Sequence, residues 1–159
     1  MKRRRSILLG ALAGAVGTQT LLEWEFAAAT ATWEDVSAPG QVGHLALRRL
    51  TGGDVPDRWA RTTQNLVHWA TGVAWGAQFG AFAAHRRPRW WWGFGHGVSA
   101  WGTSNVTLPL AGVYRPIWDY EADTLGKDLR AHLLYGAAAG ATYAAARRVR
   151  PEPTTKKAP

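Results

Sequence analysis

Residues 66–84 read LVHWATGVAWGAQFGAFAA, and residues 85–89, HRRPR, close the stretch with a basic cluster. The apolar run is close to the ~20 residues with which a helix crosses ~30 Å of hydrocarbon. Gly72, Gly76 and Gly80 fall four apart, so they share one face of that helix. A glycine face lets two backbones approach closely. In lipid, where side chains gain little from leaving the solvent, such packing is what holds helices together.

Working outward, three further stretches share this character: 7–26, 90–111 and 129–146. The first carries Gly10, Gly14 and Gly17, and is broken by Thr18, Gln19, Thr20, Glu23 and Glu25. The fourth is mostly alanine and repeats the four-residue glycine spacing at Gly136 and Gly140. The third has Gly93, Gly95, Gly97 and Gly102, a run that predicts flexibility rather than a seam, and Pro109 near its end. The expected fold is all-α: a polytopic membrane bundle of about four transmembrane helices with short amphipathic outer-surface helices. Residues 1–150 form one domain, and the Pro- and Lys-rich 151–159 form a disordered tail.

The basic residues orient the spans. With the N-terminus in the cytoplasm, the cytoplasmic segments hold Lys2, Arg3, Arg4, Arg5, Arg86, Arg87, Arg89, Arg147, Arg148, Arg150, Lys156 and Lys157, against one acid, Glu152. This is the positive-inside distribution, and it puts both termini inside. Tryptophan is abundant, with 10 in 159 residues. Trp24, Trp33, Trp59, Trp69, Trp90, Trp91 and Trp92 sit near the ends of apolar runs, where an indole favours the membrane interface. The mean hydropathy of −0.22 and a soluble, Trp-rich core are the competing reading. The net charge of +8 invites nucleic acid, but its placement at the ends of apolar runs points to lipid instead. Arg4-Arg5-Ser6-Ile7-Leu8-Leu9, followed by Ala27-Ala28-Ala29, also resembles a twin-arginine export signal; cleavage there would leave three spans or a secreted protein.

Residues 32–65 form a long outer connection. Ser37 is expected to cap a short helix with Pro39 in its first turn, Val42, Leu45, Ala46 and Leu50 on one face, and Arg48 and Arg49 off it. That helix lies on the outer membrane surface or over the bundle mouth. Gly52-Gly53-Asp54 reads as a turn, and Asp54 or Asp57 begins the next helix. Residues 114–127 form a second outer cap with Trp118 and Tyr120.

No cysteine is present, which excludes disulfides and thiolate chemistry. G-x-S-x-G, a Walker-type loop and H-E-x-x-H are all missing, and Gly93-x-Gly95-x-Gly97 lacks the strand–turn–helix setting of a nucleotide site. His44, His68, His85, His96 and His132 form no H-x-x-x-H pair. The chain reads as a non-enzyme without cofactor or metal. The polar residues inside the apolar runs are Gln19, Glu23, Glu25, Asn65, His68, Ser104, Asn105, Arg130 and His132. All fall at similar depth on the outer side. They form either a proton-sensitive outer cluster or the hydrogen-bond glue of helix ends.

Residues 33–41 (WEDVSAPGQ), 55–61 (VPDRWAR), 114–120 (YRPIWDY) and 127–132 (KDLRAH) resemble a group of uncharacterised small membrane proteins of high-GC Gram-positive bacteria. The resemblance covers roughly residues 5–148. That group is in turn similar, more distantly, to the YagU-like inner-membrane family, in size, span number and layout. The resemblance implies a multi-helix inner-membrane protein with a part in acid tolerance, and it offers no established catalytic residues to carry over. The expected function is therefore a component of envelope or acid-stress physiology. The rivals are a small oligomeric transporter or channel and a scaffold subunit of a membrane complex. The expected partners are the lipid bilayer and a second copy or another membrane protein, with no nucleic acid.

Overall fold

The computed structural model describes residues 2–19, 31–86 and 89–149. The described residues are all-helical, with no strand. Five α-helices follow in order: α1 (Lys2–Gln19), α2 (Ala38–Thr51), α3 (Ala60–Ala83), α4 (Trp92–Leu110) and α5 (Ala122–Val149). Short 3-10 turns at Asp57–Trp59 and Ile117–Asp119 lead into α3 and α5.

Four helices form an up-down-up-down bundle, and glycines set its contacts. A Cβ on Gly10 would lie 2.7 Å from the Gly80 Cα, and one on Gly14 would lie 2.8 Å from the Gly76 Cα, so α1 and α3 run antiparallel with backbones touching. Gly72 faces the Thr18 side chain in the same seam. The second seam joins α4 to α5: a Cβ on Gly93 would sit 3.0 Å from the Gly140 Cα, and one on Gly97 3.0 Å from the His132 carbonyl carbon. Gly93 and Gly97 therefore make a close-packed face instead of the expected flexible stretch. They are four apart, and the intervening Gly95 hid that spacing in the sequence. Tyr135 against Gly17 joins α5 to α1, and Phe79 against His96 joins α3 to α4.

Most buried positions hold small residues. The core consists of Ala13, Val36, Ala60, Phe79, Ala83, Ala84, Ala100, Tyr135, Ala139 and Tyr143, together with glycine, while no described leucine is fully buried. Leu8, Leu12 and Val16 form an exposed stripe along α1, with both leucines 65% exposed. Leu66, Trp69 and Phe82 on α3, and Phe94, Val98 and Val106 on α4, are exposed in the same way.

No helix among the described residues is long and apolar enough to cross a membrane. The shortfall is in apolarity. The four bundle helices have 18, 24, 19 and 28 residues, roughly 27–42 Å at 1.5 Å per residue. The basic residues 2–5 lower the mean of α1, and exposed Thr71, Gln78, Ser99, Thr103 and Thr107, together with the glycines, lower it in α3 and α4.

Helix ends depart from the expected spans. The first run, 7–26, is helical from Lys2 to Gln19, and its remainder lies outside the described residues. α3 starts at Ala60, not Leu66, because Thr63 and Gln64 are buried under α2 and have partners there. α5 takes 122–127 from the expected outer cap: Glu121 C=O accepts the Leu125 N–H, and Asp123 pairs with Lys127 at 2.6 Å in the first turn.

Candidate functional site

Polar side chains gather at two levels of the bundle. At the level where α1 begins and α5 ends, Ser6 donates its hydroxyl proton to the Gly80 carbonyl at 2.6 Å. Its one proton is thereby used, so in its bond with Tyr143 the phenol is the donor. Arg147 Nη1 donates to the Tyr143 oxygen at 3.5 Å, to the Ala83 carbonyl at 3.1 Å and to the Arg86 carbonyl at 3.3 Å. The chain Arg147 to Tyr143 to Ser6 to Gly80 thus ties α5, α1 and α3 together, and the guanidinium satisfies carbonyls at the end of α3. Tyr143 is 0% exposed.

Midway along the axis, His96 is 9% exposed, with its ring among Phe79 at 5.0 Å, Trp75 at 5.7 Å and Tyr135 at 6.1 Å. Its Nε2 makes no hydrogen bond. Tyr135 donates to the Gly72 carbonyl at 2.7 Å, and Thr18 to the Gly14 carbonyl at 2.9 Å. These rings lie between α3, α4 and α5.

The opposite end carries the caps. Trp33 stacks on His44 (3.9 Å between ring centres, 7° between planes) and donates its indole N–H to the Val55 carbonyl at 2.8 Å. Gln64 of α3 does the capping expected of Ser37: its Oε1 accepts the N–H groups of Ser37 and Gly40 at 3.1 and 3.0 Å, while its Nε2 donates to Ser37 Oγ at 2.6 Å. Ser37 holds the N-cap position of α2 with Pro39 in the first turn, but its hydroxyl faces Gln64 and makes no cap. α2 buries Gly40 and Gly43 against α3 and leaves Val42 and Leu50 exposed. Gly52, with φ of 69°, ends α2. In the second cap, burial raises the Tyr114 phenol's pKa, and the Asp128 carboxylate adds to the effect.

The expected outer cluster is dispersed. Glu23 and Glu25 lie outside the described residues. Gln19 is exposed at the end of α1, and Arg130 is exposed on α5. Asn105 donates back to the Trp101 carbonyl of its own helix at 2.9 Å, and Ser104 donates to the same atom at 2.8 Å. His132 pairs with Asp128, one turn back on α5: its Nδ1 lies 3.3 Å from the carboxylate and 2.9 Å from the carbonyl. Asn65 and His68 are half-buried on α3. Gln64, adjacent to Asn65, is the residue that joins two helices there. Ser6, Tyr143 and Arg147 lay outside the expected cluster as well. Their signal was the Tyr135–Ala139–Tyr143–Arg147 repeat, four apart, which sets two phenols and a guanidinium along one face of an alanine-rich helix.

Among the described residues no group of three His, Asp or Glu side chains is placed to hold a metal ion. No family model, no curated protein and no solved structure matches this chain.

Proposed function

We propose that this chain is a small multi-pass protein of the bacterial inner membrane, with α1, α3, α4 and α5 as its spans, which acts through its surfaces as a scaffold rather than by catalysis or conduction. The observation that carries the reading is the distribution of sizes: apart from Gln64, Phe79, His96, Tyr135 and Tyr143, the buried positions of the four spans are Gly, Ala, Ser and Thr, while every described leucine stays at least partly exposed. A water-exposed bundle gains stability by burying its large apolar side chains. A bundle in lipid gains nothing from that and packs small residues instead. Exposed Trp69, Trp90 and Trp91 suit the membrane interface. Charge supports it too. Every described Asp and Glu lies in 34–57 or 119–128, at the end carrying the caps.

The rings that lie between α3, α4 and α5 argue against a conduit through one copy, so a transporter would have to be built between copies. The resemblance to uncharacterised small membrane proteins of high-GC Gram-positive bacteria, and at a distance to the YagU-like family, agrees with this placement. A part in acid tolerance is favoured by one observation, the His132–Asp128 pair at the outer end. Imidazole changes charge between pH 5 and 8, so the pair becomes ionic as the outside acidifies.

The test is topology. Carbonate extraction should leave the protein in the membrane, and reporters fused at Arg87 and at Gly52 should report opposite sides. Release by carbonate, or one side for both reporters, defeats the reading.

A further inference from the structure

Among the described residues, one end of the bundle carries cations without acids. α1 begins there with Arg3 and Arg4, both exposed; Arg86 and Arg89 lie between α3 and α4, and Arg148 lies near the end of α5. The Ser6–Gly80 and Ser6–Tyr143 bonds and the close approach of Gly140 to the Trp90 carbonyl bring these four helix ends together. No described carboxylate shares this end. The other end is mixed, with Arg48 beside Asp54 at 3.5 Å and Lys127 beside Asp123.

Two features give the basic end a direction. Trp90 and Trp91 are 53% and 48% exposed beside the arginines, and the apolar stripe of α1 starts one turn away at Leu8. Arg86 lies over the Phe82 ring at 4.2 Å while donating to the Phe82 carbonyl, so its charge sits at the margin between the basic end and the apolar flank. Guanidinium groups hold phosphate through paired N–H donors. An indole at the same level prefers a surface that is wet on one side and apolar on the other. A nucleic acid would use the cations but leave the indoles and the leucine stripe exposed; an anionic lipid uses all three.

We infer that this arginine collar, with Trp90 and Trp91, is a docking surface for anionic glycerophospholipid, its phosphodiester on the guanidinium groups and its acyl chains along the apolar flanks. The inference rests on the membrane reading above. It goes beyond the general excess of positive charge on the inner side, because it requires selective retention of the lipid.

The test is lipid retention by the detergent-purified full chain, read by native mass spectrometry with phosphatidylglycerol or phosphatidylcholine added. Wild type should retain phosphatidylglycerol at least about tenfold better. R4Q/R89Q/R148Q, three exposed positions, should bring the two lipids level, and R48Q/R49Q at the mixed end should leave the preference intact. Equal retention by wild type overturns the inference, as does a preference that survives the triple substitution. Displacement of the lipid by an equal concentration of inorganic phosphate or of a DNA oligonucleotide also overturns it, in favour of a free anion or a nucleic acid. Carbonate extraction of the same proteins reads the membrane assignment separately. A triple variant that stays in the membrane yet loses the preference supports the lipid site, while a wild type released by carbonate removes the reading beneath it.

Discussion

Helix α4 has two glycine-bearing faces, and they do different things. Gly93 and Gly97 lie against the α5 backbone, with Gly136, Gly140 and His132 within the reach of one methyl group. Gly95 and Gly102 have nothing within 4 Å of where a Cβ would stand. All four belong to one helix and one short sequence run. What separates them is register: 93 and 97 repeat the four-residue spacing that 136 and 140 carry on the partner helix. Glycine content alone therefore says little about packing; glycine in phase with a second helix says where two backbones meet. The α1–α3 seam obeys the same rule, with Gly10 and Gly14 in phase with Gly72, Gly76 and Gly80.

The largest effect should come from filling the α1–α3 seam. A Cβ at Gly76 meets the Gly10 carbonyl and the Gly14 backbone, which cannot rotate away as a side chain can. Overpacking commonly costs ~1–3 kcal/mol, and a rigid backbone partner places Gly76→Leu at or above the top of that range. Gly102→Leu adds a side chain where a Cβ meets open space and should stay within about 0.5 kcal/mol. Thermal midpoints in one detergent compare the two, and equal shifts would mean that the α1–α3 contact is not a seam.

The same comparison can be sharpened within α4 by a single methyl group. Gly97→Ala pushes a Cβ into the His132 carbonyl and should destabilise by ~1–3 kcal/mol. Gly95→Ala meets open space and should stabilise by roughly 0.5–1 kcal/mol, since alanine loses less backbone entropy than glycine in a helix. If both substitutions have the same sign, register is not what distinguishes the faces.

Between the seams lies the Ser6–Tyr143–Arg147 chain. Tyr143→Phe keeps the ring against Phe79 (5.3 Å between centres) but removes the phenol that Ser6 accepts from and Arg147 donates to. Losing a buried hydrogen bond and leaving its partner unpaired costs ~1–3 kcal/mol. Ser6→Ala removes the other half, so the double variant should cost less than the sum of the singles. Strict additivity would mean the two residues act separately.

How much of this was legible follows from what a sequence displays. The four helices announced themselves by apolar runs, and the α3 glycine face by three equal spacings. The α4 face was hidden by an extra glycine out of phase. The polar residues singled out were those interrupting apolar runs near the outer ends, and in a helix such a residue can turn back on its own backbone, as Asn105 does. The side chains that join helices were less conspicuous. Gln64 stood just outside the assumed span, and Tyr143 reads as another aromatic in an alanine-rich run. Interruption of a pattern marks polarity; only the register between helices reveals a partner, and a single sequence does not contain that register.

The smallest expected effect lies farthest from any seam, in the turn before α2. There the Asp35 carboxylate accepts the N–H groups of Ala31 and Thr32 at 3.0 and 2.8 Å and the Thr32 hydroxyl at 3.0 Å. These donors favour the ionised form, led by the Thr32 backbone, and hold the carboxyl below its ordinary value of 3.8. A lowered carboxylate pKa means that the turn's contribution is present above the unfolded value and is lost as pH falls through the folded one. The window therefore opens near pH 4 and extends below it. Asp35 is exposed, so water screens the effect and the bundle should stay folded while the turn loosens. The neighbouring Trp33 indole, stacked on His44, is the reporter. Its fluorescence should change below about pH 4 in wild type, and Asp35→Asn should show the low-pH signal already at neutral pH. A change complete above pH 5 would not belong to the carboxylate, whose value is lowered. A turn that loosens only together with global unfolding would show that this region is tied to the seams after all.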